Sequence, residues 1–245
     1  MPEFIFHPEL TCLLPKALRG HPAVCTVAPH QSIKHAIEAL GIPHTEIGAV
    51  AVNGQIRPIS GRFAPADRVE VFPPAPPALN EGEPPRFIAD AHLGRLARYL
   101  RFAGIDTAWK NAWDDAELVA IAAREGRIAL TCDRALLMHR ALAAGCYLRS
   151  RQPQAQLAEV ARRYALTLCD PQASRCLECN AVPLPVTKSE VAAELLPRTV
   201  AAFEQFWRCP GCRRTYWRGS HWQRMQAALA AVDRALVPIS SSSAA

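Results

Sequence analysis

Two matched cysteine pairs, Cys176-Leu-Glu-Cys179 and Cys209-Pro-Gly-Cys212, stand 29 residues apart in this 245-residue chain. A CxxC turn holds two thiolates side by side, and a second such turn completes the tetrahedral four-sulfur shell that zinc takes. Pro-Gly inside the second pair suits the tight turn this needs. Disulfides are a poor fit, since the chain has nine cysteines, an odd number, and its N-terminus MPEFIFHPEL carries no signal-peptide pattern. An iron–sulfur cluster would have a less usual spacing. The expectation is a closed, structural Zn²⁺ site. The other five, Cys12, Cys25, Cys132, Cys146 and Cys169, stand singly within apolar stretches and are expected to act as small buried hydrophobes.

A second chemistry is carried by carboxylates. Two short apolar runs, FIA and IALTC, lead into Asp90 and Asp133. In parallel sheets the C-terminal strand ends are where ligands bind. Asp114, Asp115 and Glu117 add acids at the start of an intervening helix; capping accounts for Asp114, whereas Asp115 is read as functional. Clustered carboxylates repel unless a cation neutralises them, and Mg²⁺ or Mn²⁺ binds through a few carboxylates and several waters. Such ions support in-line attack on phosphorus. Arg95, Arg98 and Arg101 follow Asp90 at three-residue spacing and would guide a phosphodiester.

The segment WRCPGCRRTYWRGSHW interleaves Trp207, Tyr216, Trp217 and Trp222 with Arg208, Arg213, Arg214 and Arg218. Aromatics that stack on bases, with arginines on phosphates, grip single-stranded RNA. Arg213, Arg214, Trp217, Arg218 and Trp222 are the candidate RNA contacts. Two of the four aromatics are expected to be structural, because a small ribbon has little core of its own. His221 is read as a packing residue. The net charge of +6 is graded along the chain. It is zero over residues 1–80 (six basic, six acidic), +2 over 81–170 (13 against 11) and +4 over 171–245 (nine against five). That gradient points to a polyanion partner for the C-terminal two thirds.

These residues need elements to position them. Six prolines in PPAPPALNEGEPP, residues 73–85, exclude a helix or central strand and read as a linker. Before it, FIFHPELTCLLP and AVCTVAP read as a strand pair and SIKHAIEALG as a helix capped by Ser32. GAVAVNGQIRP is a strand running into an Asn53-Gly54 turn, and DRVEVFP is a final strand. This order resembles a ubiquitin-like or ThiS-like β-grasp, but the final strand runs into Phe72-Pro73-Pro74 instead of the terminal Gly-Gly that conjugation needs. After the linker come strands at Arg86–Ala89, Arg127–Cys132 and Gly145–Arg149. Helices are expected to about Ala103, over Asp115–Glu125, from Arg134 to Ala144 and over Gln154–Tyr164. No apolar run is long enough to cross a bilayer, and the expected location is cytoplasmic.

FIADAHLGRLARYLRFAGIDT, DDAELVAIAAREGRIALTCDRALL and the two CxxC pairs closed by YWRGSHWQRM resemble the Mut-seven C-terminal RNase domain family. The resemblance implies an α/β fold: a PIN-like parallel sheet flanked by helices, with an N-terminal β-grasp (α+β) domain and a C-terminal zinc ribbon. The expected domains are 1–73 (ubiquitin-like), 74–85 (linker), 86–170 (PIN-like), 171–232 (ribbon) and 233–245 (tail). It implies a metal-dependent RNase acting through Asp90, Asp115 and Asp133, with Asp114 or Glu117 as a candidate further acid. PIN-like enzymes usually carry a fourth acid after a later strand, where this sequence has Arg151. RNA is the expected partner, and the β-grasp domain is a candidate protein-docking module. The alternative is a non-catalytic RNA-binding or adaptor protein; a sulfur carrier would need the missing Gly-Gly.

Overall fold

A computed structural model describes residues 1–24, 31–75, 84–168 and 174–236. The features expected at Cys25 and Cys169, most of the Pro-rich segment and the tail past residue 236 lie outside the described residues.

Alternation in EFIF turns Phe4 and Phe6 inward and forms β1 (Glu3–Phe6). Pro8 lacks an amide donor, so the chain leaves the strand in a 3₁₀ turn over Pro8–Leu13 where a longer strand was expected. After β2 (Ala23–Val24), Ser32 Oγ accepts from the His35 amide (3.2 Å) and opens α1 (Ile33–Ala39), which buries Ile33, Ala36 and Ile37. The strand expected to run into the Asn53-Gly54 turn is β3 (Ala49–Val52), and past the turn the chain pairs back on it as β4 (Gln55–Arg57). Asn53 (φ +50°) and Gly54 (φ +79°) supply the primed turn that matches strand twist. β5 (Arg68–Phe72) pairs parallel with β1 and antiparallel with β3, giving the sheet order β2-β1-β5-β3-β4. Phe4, Leu13, Ile33, Ile37, Val50 and Val69 form its core.

The next segment runs through β6 (Phe87–Ala89), α2 (Gly94–Phe102) and β7 (Thr107–Ala108). β7 pairs parallel with β6 and has only two residues, too few for periodicity to signal. Then come α3 (Asp115–Glu125), β8 (Ile128–Thr131), α4 (Arg134–Leu137) and β9 (Gly145–Tyr147), with β8 and β9 parallel. Helix α4 stops seven residues before the expected Ala144. The Leu142 carbonyl turns to His44 Nε2 (2.9 Å), and Leu137 and Leu142 are both buried. The remainder holds α5 (Pro153–Arg163), β10 (Leu184–Val186), α6 (Lys188–Val191), α7 (Pro197–Ala202), β11 (Phe206–Arg208), β12 (Thr215–Tyr216) and α8 (Ser220–Leu236). β10, β11 and β12 form an antiparallel three-stranded sheet.

The chain divides into two compact units, one of Met1–Pro76 with Asp115–Tyr147 and one of Pro77–Asp114 with Leu148–Ala245. In the first, the β-grasp sheet is tied to the later segment by polar bonds. Glu46, 2% exposed, accepts from the Tyr147 amide (2.7 Å), and Arg134 Nη1 donates to the Leu13 carbonyl (2.6 Å). In the second, α2, α5 and α8 pack on one another beside the three-stranded ribbon. No helix among the described residues is long and apolar enough to cross a membrane. The fold is mixed α/β: parallel strands flanked by helices, an N-terminal β-grasp sheet and a four-cysteine ribbon.

Candidate functional site

The ribbon brings the four predicted cysteines together. Cys176, Cys179, Cys209 and Cys212 are the one group of three or more potential ligands among the described residues whose donor atoms all lie within 4.8 Å. Cys176 Sγ is 3.4 Å from Cys212 Sγ, and Cys179 Sγ is 3.2 Å from Cys209 Sγ. The two knuckles are built alike. The residue after the second cysteine is left-handed in each, Asn180 at φ +71° and Arg213 at +63°. Its amide donates to the carbonyl of the first cysteine, at 2.9 Å in one knuckle and 3.0 Å in the other. Asn tolerates that backbone, whereas for Arg it is strained and persists because the turn requires it. Burial alone would raise the Cys176 thiol; the Tyr216 hydroxyl at 3.0 Å and the amides of Cys179 and Glu178 outweigh it and bring it down to about 6. Burial pushes Cys179 up to about 12. Four soft sulfurs converging at these distances can bind a metal such as zinc.

Arg101 is corrected from an RNA contact to a structural residue. It is 1% exposed, and its guanidinium donates to the carbonyls of Thr107 (2.8 Å), Leu177 (2.8 Å), Glu178 (3.0 Å) and Trp109 (3.3 Å). Two of those carbonyls belong to the first knuckle, so α2 holds the ribbon through this side chain. Asn180 adds a second tie, donating to Asp106 Oδ1 (2.8 Å) and accepting from the Thr107 amide (3.1 Å). Arg95 and Arg98 are exposed and line a cavity of about 510 Å³ that begins at Ala91.

A second groove, about 680 Å³, lies on the ribbon and is lined by Trp207, Tyr216, Trp217, Arg218 and Trp222 among others. The Arg218 guanidinium sits 5.3 Å from the ring centres of both Trp207 and Trp222, a double cation–π contact. Tyr216 serves the sulfur cluster, and Trp217 folds over Gly219, where a Cβ would come within 2.7 Å of its Nε1. Arg213 and Arg214 are exposed on the second knuckle. His221, read as a packing residue, is exposed and lines the groove. Cys146 is buried as expected, but Cys12 is exposed and Cys132 half-buried.

The acids are positioned by the strand ends. Asp90 follows β6, and its Oδ1 accepts from the His92 amide (3.3 Å). Asp133 is the second residue past the end of β8, and its Oδ1 accepts from the Ala135 amide (2.7 Å) as the cap of α4. Thr131 Oγ1 accepts from the Asp133 amide (2.9 Å). Asp115 opens α3 with Glu117 in its first turn, and Asp114 immediately precedes it. Asp114, Asp115, Glu117 and Asp133 are exposed and Asp90 is half-buried. Asp90 and Asp114 belong to the second compact unit, and Asp115, Glu117 and Asp133 to the first.

A β-grasp sheet, parallel strands flanked by helices with acids at the strand ends, and a Cys₄ ribbon define a multidomain α/β protein with a candidate metal centre. The Mut7-C RNAse domain family model matches residues 85–229, more than half of the chain, and the Mut7-C ubiquitin model matches residues 1–78. The chain belongs to the Mut7-C RNase domain family, a nuclease family. No curated protein and no solved structure matches it.

Proposed function

We propose that the protein is a metal-dependent ribonuclease acting in the cytoplasm, with Asp90, Asp115 and Asp133 as metal-binding acids, Asp114 or Glu117 as a further acid, and Zn²⁺ in the four-cysteine ribbon. The observation that carries this reading is the RNase-domain match over the segment containing all five acids. Oxygen donors of this kind suit hard cations. Asp133 also has no ion-pair partner among the described residues that would compete for it. Bound there, Mg²⁺ or Mn²⁺ would activate water and offset charge on the phosphate oxygens. The chain's own part is to fix the acids. The amides of His92 and Ala135 each hold one carboxylate oxygen and so set the direction of the other. Exposed Arg95, Arg98, Arg213, Arg214 and Arg218 supply phosphate contacts, and Trp217 and Trp222 present aromatic surface to bases. The proposed domain division is that of 1–73, 86–170 and 171–232 around the 74–85 linker, with 233–245 as a tail; α8 itself continues to Leu236.

The test is cleavage of structured and unstructured RNAs in Mn²⁺ by the natural protein and by Asp133→Asn. Asn also caps helices, so the substitution removes charge while keeping the turn. Activity is expected to fall at least a hundredfold. Equal cleavage by both proteins overturns the acid assignment, and no cleavage by either leaves the RNA-binding adaptor as the standing reading.

A further inference from the structure

The cavity at the start of α2 has a composition that the RNase reading does not itself require. Among the described residues its ionisable lining groups are His92, Arg95, Arg98 and Arg151, with no Asp or Glu. Arg98 pairs with Glu178 (3.2 Å). Neither Arg95 nor Arg151 has a carboxylate partner among the described residues. Two guanidinium charges are therefore left facing one space.

The backbone on either side of Arg151 is fixed by hydrogen bonds. Glu159 accepts from the amides of Arg149 (2.8 Å) and Ser150 (2.9 Å), Gln156 Nε2 donates to the Ser150 carbonyl (2.9 Å), and the Gln152 amide donates to Ser150 Oγ (3.0 Å). The same loop opens the 11-residue helix α5, so Gln152, Pro153 and Gln156 bring the positive end of a helix to the cavity wall. Trp109 also lines the cavity. It lies so close to the Gly94 backbone that a Cβ there would be 2.5 Å from the ring, and its Nε1 donates to the Ala91 carbonyl (3.1 Å). Every one of these residues belongs to the second compact unit, and the cavity starts at the residue after Asp90.

We propose that this cavity seats the terminal phosphate monoester of an RNA strand. An internal phosphodiester carries one charge, whereas a terminal monoester carries about −1.5 to −2 at neutral pH and three acceptor oxygens. Two unpaired guanidiniums, a third shared one and a helix N-terminus match the monoester, and Arg is the side chain suited to bidentate phosphate contacts. The inference rests on the ribonuclease reading for its substrate and sharpens it: with the phosphate seated beside Asp90, cleavage falls near a phosphorylated end.

The experiment measures binding of a short single-stranded RNA bearing a 5′-phosphate, a 3′-phosphate or hydroxyls at both ends, by fluorescence anisotropy on the full chain without added Mg²⁺ or Mn²⁺. One phosphorylated end is expected to bind at least tenfold more tightly than the hydroxyl-ended RNA. Arg151→Gln and Arg95→Gln, both at exposed positions, are each expected to erase that ratio. Equal binding of all three RNAs, or a ratio that survives in both variants, overturns the proposal. Cleavage in Mn²⁺ is read separately: an end preference without cleavage refutes the ribonuclease reading alone, and cleavage without an end preference refutes the phosphate site alone.

Discussion

Arg95, Arg98 and Arg101 have the same side chain on the same helix and end in different environments. Three-residue steps on a helix of 3.6 residues per turn drift by about 60° each, so Arg101 is rotated about 120° from Arg95. That rotation carries it off the solvent face and under the first cysteine knuckle. Burial lowers its pKa from the ordinary guanidinium value, opposed chiefly by the negative charge of Cys176. Arg101→Gln would strand several carbonyl acceptors and is expected to cost about 3–4 kcal/mol, seen as a lower urea midpoint. The salt dependence of RNA binding should stay as it was. A reduced salt slope with unchanged stability would return Arg101 to the RNA-binding set. Residue type and spacing could not separate these outcomes, because the distinction lies in which face the ribbon covers.

At the level of elements, close backbone approaches decide what the chain tolerates. Gly48 leads into β3, and its amide donates to the Phe72 carbonyl (2.9 Å) at the end of β5. A Cβ there would stand 2.4 Å from the Pro73 carbonyl oxygen and 2.5 Å from the Pro74 Cα. Backbone cannot swing aside as a side chain can, so Gly48→Ala is expected to destabilise the β-grasp sheet by about 2 kcal/mol, measured as a drop in melting temperature. An unchanged melting temperature would mean that the two strands part easily. Where periodicity was strong the sequence located elements well: α3 runs over Asp115–Glu125 as read, and α5 differs by one residue at each end. Where tertiary contacts override local preference it did not. RALLMHRALAA consists of strong helix formers except for His139, yet α4 ends at Leu137.

Across the whole molecule, compactness does not follow chain order. The β-grasp sheet and Asp115–Tyr147 form one unit, held by the Glu46–Tyr147 and Arg134–Leu13 hydrogen bonds and by His44, whose ring joins the Glu38 carboxylate (2.7 Å) to the Leu142 carbonyl. A protease site placed between residues 79 and 80 should therefore yield two fragments that still co-elute on size exclusion after cleavage. Their separation without denaturant would show that the β-grasp sheet stands alone.

Chemistry carried by a single local pattern was decided by the sequence. Paired CxxC turns must present sulfurs to one side, and an aspartate after a short apolar run must stand at a strand end, because both follow from local backbone geometry. Tertiary structure alone decided which cations face solvent. It buried Arg101 and drew Arg151, 53 residues beyond Arg98, into the same cavity as Arg95. In the sequence Arg151 registers only as a position without an acid. Its role depends on which residues the fold sets across from it, and long-range packing, not spacing, determines that.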